Sequence, residues 1–250
     1  MKIIDVNCAI GAPLKSYRYT TAHGLVQWLE DYQIHSALTY HAEALREPER
    51  GNRLMIEECA ASNGRLLCCM ALNPSLQNLG LPGEGTAAER LKAIRPSAVR
   101  VFPDDQKYLF NTFYASDILD VCQQLHMPLI VTQNYTDLFL SQLPEVCRQY
   151  PDVPVILPRF GLNRSRAYFP ILKKLPNVYL DMSIMVDTGS IEEICQNFGS
   201  ERLLFGSGLP TYEPAGALGL LYYSQISQDD KENIAHRNFE NLESRIRYDV

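Results

Sequence analysis

The chain has 250 residues, 46% of them hydrophobic, which is ample for one large core. A net charge of -6 argues against a dedicated nucleic-acid surface, and no run approaches the roughly 18 apolar residues of a membrane span. Seven cysteines at scattered positions, none in a CxxC pair, read as reduced, mostly buried thiols and point to the cytosol rather than to a disulfide framework or a metal knuckle.

Along the chain, short β-rich runs alternate with amphipathic stretches. The amino end, MKIIDVNCAIG, reads as a first strand over Lys2 to Val6 rather than as a signal peptide. Further strands are expected at Ser36–Tyr40, Leu66–Leu72, Ala98–Phe102, Pro128–Thr132, Val153–Leu157, Asn177–Met182 and Arg202–Gly206. Most are continuous apolar runs, as parallel strands covered on both faces require. Helices are expected at His23–Tyr32, with Leu25, Trp28, Leu29 and Tyr32 on one stripe, at Asn52–Ser62 before Asn63-Gly64, and at Tyr114–His126. Another should start near Pro144, because proline suits the first turn. A last helix begins at Ser227, with Asp230 three residues on and an apolar stripe of Ile234, Phe239, Leu242 and Ile246.

Such alternation without a linker predicts one α/β domain over residues 1–250, a TIM-like (β/α)8 barrel with an extra C-terminal helix. No GxGxxG follows the first strand, which weighs against an open dinucleotide-binding sheet.

Several segments then combine. IIDVNCAIG resembles the first-strand motif of the amidohydrolase-related family, PLIVTQNY its fifth strand, YPDVPVILPRFG its sixth and ERLLFGSGLP its eighth. GNRLM, CMALNP and DDKENIAHRNFENL, with Asn238, add supporting matches in order. The resemblance implies a metal-dependent hydrolase barrel cleaving C–O or C–N bonds, with zinc or another divalent metal as the default cofactor. Carried over residue by residue, the family's two first-strand histidines fall on Asn7 and Ala9, the fifth-strand histidine on Thr132, the sixth-strand histidine on Arg159, and the metal-binding, acid/base aspartate on Gly208. Zinc takes imidazole, thiolate or carboxylate ligands. Alanine and glycine supply none, and arginine repels a cation. A slip in register does not rescue the site, since no histidine lies within a few residues of Asn7, Thr132 or Arg159, and no Asp or Glu within four of Gly208. Cys8, between two lost ligand positions, should point out toward the helices.

The expected cofactor is therefore none, and the pocket should lie where strands end and loops begin. Its candidate lining is Asn7, His41, Arg100, Thr132, Gln133, Arg159, Asp181 and Ser183. Asp5 and Asn7 are expected to share the inward face of the first strand, and Val155, Leu157 and Arg159 one face of the sixth. Two readings of Arg159 stand: a structural salt bridge to Asp181, Asp5 or Glu43, or joint binding of a carboxylate or phosphate with Arg100. The charged loop His41–Asn52 reads either as a lid or as a solvated surface loop, and Tyr17, Tyr19, Tyr108, Tyr135 and Tyr212 either as aromatic lining or as ordinary packing. Two functions follow. One is a metal-independent hydrolase or lactonase acting on a small anionic substrate, since the superfamily includes lactonases thought to act without metal. The other is an inactive pseudoenzyme that binds a small carboxylate or phosphate. Neither a nucleic acid nor a membrane is an expected partner, and a homo-oligomer is compatible with the apolar carboxyl-terminal helix.

Overall fold

A computed structural model describes residues 1–11, 21–160 and 167–249. Eight parallel strands run in sequence order round a nearly closed barrel: β1 Ile4–Ile10, β2 Ser36–His41, β3 Leu66–Ala71, β4 Ala98–Val101, β5 Leu129–Val131, β6 Val155–Leu157, β7 Val178–Asp181 and β8 Leu203–Leu204. The seam between β8 and β1 is closed by the amides of Val6 and Ala9, which donate to the carbonyls of Phe205 and Leu209, each at 2.9 Å. Helices cover the outside, as a TIM barrel requires: α1 Ala22–Asp31, α2 Pro48–Ala61, α3 Ala87–Ile94, the single turn α4 Pro103–Gln106, α5 Ser116–Leu125, α6 Asp137–Gln149, α7 Tyr168–Lys174, α8 Ser190–Phe198 and α9 Pro214–Tyr223. Among the described residues no helix is long and apolar enough to cross a membrane.

Local chemistry explains most of these elements. Thr21 caps α1 by accepting from the Gly24 amide at 3.1 Å, and Thr86 and Glu89 form a reciprocal capping box on α3. Helix α6 corrects the expectation of a start at Pro144. Thr136 caps it, so the helix begins at Asp137, seven residues before Pro144, which lies inside. An interior proline forfeits one backbone hydrogen bond, but burial of Phe139, Leu143, Val146 and Cys147 outweighs that loss. The charged stretch after β2 is not an open loop: Ala42–Leu45 forms a 3-10 turn and α2 starts at Pro48. Any Cβ at Gly51 would stand 2.3 Å from the Ala44 backbone nitrogen, so helix and turn are in contact.

The carboxyl-terminal segment is one helical run, α10 Gln228–Glu232, a π turn Asn233–Arg237 and α11 Asn238–Glu243. Ser227 caps it as expected, accepting from the Asp230 amide at 3.1 Å. Phe239 and Leu242 join the barrel's inner layer with Ile4, Val6, Leu38, Cys69, Ala98, Ile130, Ile156 and Leu204. Asn238 Nδ2 ties the helix down by donating to the carbonyls of Ser200 (2.7 Å) and Leu203 (2.9 Å). The helix therefore plugs the end of the barrel where the strands begin.

Candidate functional site at the carboxyl ends of the strands

Side-chain alternation places the polar groups. On β4, Ala98 belongs to the inner layer, while Val99 and Val101 pack outward, so Arg100 points inward; Thr132 follows the inner Ile130 of β5 in the same way. On β1 alternation breaks. Asp5 is in register with Ala37 but Cys8 with Thr39, three steps on one strand against two on the other. This bulge turns both Val6 and Asn7 inward. Asp5 is left facing outward beside Ala37, correcting the expectation that Asp5 and Asn7 share a face. Buried Asp5 holds the bulge together, its Oδ1 accepting from the amides of Asn7 and Ser207, both at 3.0 Å. Burial raises its pKa against those hydrogen bonds. Cys8 packs in the outer core, as expected.

The centre of the site is Arg100, 2% exposed. Its Nη1 donates to Asn7 Oδ1 (3.0 Å) and Thr132 Oγ1 (3.3 Å), and its Nη2 to Asn7 Oδ1 (3.1 Å) and the Val6 carbonyl (3.5 Å). The guanidinium carbon lies 4.6 Å from the centroid of the Tyr40 ring, a cation–π geometry, and Tyr40 leans on Phe102 at 5.1 Å. Burial raises the Tyr40 pKa, and the Arg100 and Arg159 charges oppose that rise. Arg100 Nε has no partner, and no carboxylate pairs with the guanidinium among the described residues.

From Asn7 the network continues. Its Nδ2 donates to Ser183 Oγ at 3.5 Å, and Ser183 donates to Asp181 Oδ1 at 2.6 Å. The same Oδ1 accepts from the amides of Ser183 (2.9 Å) and Arg159 (3.0 Å). Asp181 Oδ2 is buried without a donor among the described residues, at 2.7 Å from where a Cβ on Gly206 would stand. Asn7, Arg100, Thr132, Asp181 and Ser183 are thus brought into one connected chain.

Arg159 joins this chain through its backbone. Val155 and Leu157 face outward and Ile156 fills the barrel, so Arg159 does not share an inward face with them. The strand ends at Leu157, and Arg159 turns with φ +59°, left-handed for a non-glycine residue. Its charge acts on both Tyr40 and Tyr135. It makes no ion pair among the described residues, and Glu43 pairs with Arg50 at 3.6 Å instead. His41 and Gln133 make no hydrogen bond to this network among the described residues. His41 Nδ1 caps the 3-10 turn by accepting from Glu43 N at 3.2 Å, and Gln133 donates to the Asn134 carbonyl. Tyr17 and Tyr19 lie outside the described residues. Tyr135 donates to Pro158 O and packs 4.8 Å from Phe160, Tyr108 has a buried hydroxyl without a partner among the described residues, and Tyr212 sits against Gly208.

Sequence reasoning noted Tyr40 at a strand end but missed it as the platform for Arg100. Its alternation with the inner Leu38 was the available signal. Gly206 and Ser207 were likewise missed as contacts of Asp181 and Asp5.

A divalent metal does not fit these side chains. Among the described residues no three His, Cys, Asp or Glu come together in a way that could hold one, and residues 12–20, 161–166 and 250 contain none of those four types. Asn7 Oδ1 and Thr132 Oγ1, the remaining oxygen donors, are engaged by a guanidinium that would repel a cation. Gly208, at φ +77°, holds a conformation that L side chains rarely adopt.

A family model described as amidohydrolase matches residues 13–240. The chain belongs to the amidohydrolase family. No curated protein matches it by sequence, but solved structures share its barrel over nearly the whole length. A 2,6-dihydroxybenzoate decarboxylase complexed with 2,6-dihydroxybenzoate superposes with TM-score 0.76 at 12% identity, covering 98% of this chain and 99% of that one. A dihydroxybenzoic acid decarboxylase from Polaromonas sp. JS666 with bound manganese and 2-nitroresorcinol gives 0.75 at 15% identity, covering 97% of each chain. A 5-carboxyvanillate decarboxylase from Novosphingobium aromaticivorans, also with bound manganese, gives 0.77 at 11%, again covering 97% of each. At such identities the likeness is one of fold.

Proposed function

We propose that this amidohydrolase-family barrel binds a small carboxylate or phosphate through Arg100 and Arg159, without the divalent metal of its relatives. Arg100 carries the reading. A buried cation whose contacts are neutral oxygens and an aromatic face, with Nε free, is costly unless an anion completes it. Its planar fork suits a carboxylate or phosphate, and Asn7, Thr132, Ser183, Asp181, His41 and Gln133 are the proposed remainder of the pocket. The ligand in one structure of the same fold, 2,6-dihydroxybenzoate, is itself small and acidic. Binding without turnover is the primary reading, because Asp181 spends Oδ1 on three structural hydrogen bonds.

One observation favours a second reading, a metal-independent hydrolase or lactonase. Asp181 Oδ2 is a carboxylate oxygen without a donor, the kind of group that takes a proton from an attacking water. The chain, with seven free cysteines, would work in the cytosol, where reductants return thiols to the reduced form. Self-association through the uncharged α9, with Tyr222 and Tyr223 exposed, is part of the same proposal.

Thermal shift of purified protein against 2,6-dihydroxybenzoate, other small carboxylates, lactones and inorganic phosphate tests it, since a ligand for the folded state raises apparent stability. The expected result is a shift with an anion, retained after chelation and lost in Arg100→Met. A stoichiometric divalent metal that survives chelation would overturn the proposal. Turnover of a lactone or ester that is lost in Asp181→Asn would select the second reading.

A further inference from the structure

We propose that Cys59 and Cys68 form an oxidative modification site, a dithiol that hydrogen peroxide closes into an intramolecular disulfide between α2 and β3. The chain brings the two thiols together locally. Helix α2 ends at Ala61, and Ser62 Oγ donates to the Cys59 carbonyl (2.7 Å) while accepting from the Leu66 amide (3.1 Å). That tight turn, with Asn63 and Gly64 at positive φ, sends β3 back along the helix. Cys68 falls on the outer face of β3, between the inner-layer contacts of Leu67 and Cys69, so its side chain meets α2. Its Sγ donates to the carbonyl of Met55 at 3.8 Å, the carbonyl one helical turn before Cys59, and both Cys59 and Cys68 pack against the same outer core between α2 and β3.

The pair divides the labour. The neighbouring Cys59 thiol lowers the pKa of Cys68, against the effect of burial. The neighbouring Cys68 thiol, followed by burial, pushes Cys59 up. Burial instead raises Cys8, Cys69, Cys122, Cys147 and Cys195. We therefore place the first attack on Cys68, whose thiol faces the turn of α2 that carries Cys59 and is drawn toward thiolate, the nucleophilic form. Both partners are only half-buried, while Cys8, Cys69, Cys122 and Cys147 are buried.

In the first step the Cys68 thiolate attacks one peroxide oxygen and the O–O bond breaks. Hydroxide leaves, takes up a proton and becomes water, and Cys68 is a sulfenic acid. In the second step Cys59 sulfur attacks the Cys68 sulfur. The S–O bond breaks, a second water leaves with the Cys59 proton, and the S–S bond forms. Two sulfurs lose one electron each, and one peroxide is reduced to two waters. A dithiol reductant reverses the reaction by exchange.

The test is thiol counting and peptide mapping on the whole protein after a stoichiometric peroxide dose. The expected result is five titratable thiols in place of seven, a mass lower by about 2 Da, and one linked peptide pair joining Cys59 to Cys68, reversed by dithiothreitol. Cys59→Ser should leave a sulfenic acid on Cys68 that dimedone traps, and Cys68→Ser should abolish both products. Retention of all seven thiols, loss mapped to other cysteines, or a bond joining two molecules would overturn the proposal. The wild-type map decides the matter even where a variant fails to fold.

Discussion

At the end where the strands begin, the barrel is filled by Ile4, Leu38, Cys69, Ala98, Ile130, Ile156 and Leu204, with Phe239 and Leu242 pressed in from the carboxyl-terminal helix. Two residues further along the same inward faces, Ala98 gives way to Arg100, Ile130 to Thr132 and Leu38 to Tyr40. The strands thus carry a dry plug at one end and a buried, uncompensated charge at the other. Burial at the first is favourable through the hydrophobic effect. At the second it is tolerated because hydrogen bonds and a ring face offset part of the desolvation. The plugged end should therefore dominate stability, and the polar end should contribute little to it while controlling binding.

The largest effect should come from the plug. Phe239→Ala removes a fully buried ring from the inner layer and should cost about 3–5 kcal/mol in urea unfolding. A loss below 1 kcal/mol would mean that the helix does not seal the barrel. Next is Gly208→Asp, which puts a carboxylate at a left-handed backbone position where the new Cβ meets Tyr212 Cδ2 at 2.7 Å. It should destabilise by about 1–3 kcal/mol without creating zinc affinity by calorimetry. Tight zinc binding by this variant would contradict the reading of the donor set.

Arg100→Met should change unfolding free energy by no more than about 1 kcal/mol, or raise it, since a buried cation without a carboxylate is replaced by an apolar chain. A large loss would show the guanidinium to be structural. The smallest effect concerns pH. The carboxyl pKa of Asp5 is raised in the folded state by burial, so the folded protein holds that proton more tightly than the unfolded chain. Its stabilising contribution is complete below the unfolded carboxylate range and is lost as pH rises through the folded value. Asp5→Asn, which keeps an oxygen for the Asn7 and Ser207 amides, should flatten that part of the stability–pH curve. An unchanged slope from mild acid to neutrality would place the titration elsewhere.

Much of this is legible in the sequence. Alternating apolar runs and amphipathic stretches specify parallel strands under helices, because each strand must be covered on both faces. The identities of Asn7, Ala9, Thr132, Arg159 and Gly208 decide by themselves that imidazole, thiolate and carboxylate donors are missing from those positions, since donor chemistry belongs to the side chain and not to the fold. Helix α6 was misplaced for a related reason: a proline reads locally as a first turn, and only burial of the surrounding stripe reveals that the helix runs through it.

What the tertiary structure alone decided is who meets whom inside the mouth. Strict alternation predicts one face for Asp5 and Asn7, but the bulge in β1 exists only once β2 and β8 are paired on either side of it. It is this bulge that turns Asn7 to Arg100 and Asp5 to Ser207. Alternation likewise fails at Arg159, where the strand has ended and a left-handed turn sets direction. That Arg100 rests on Tyr40 without a carboxylate depends on four strands converging from distant parts of the chain. Periodicity along one strand carries no record of its partners across the barrel, so the composition of the site was written in the sequence and its connections were not.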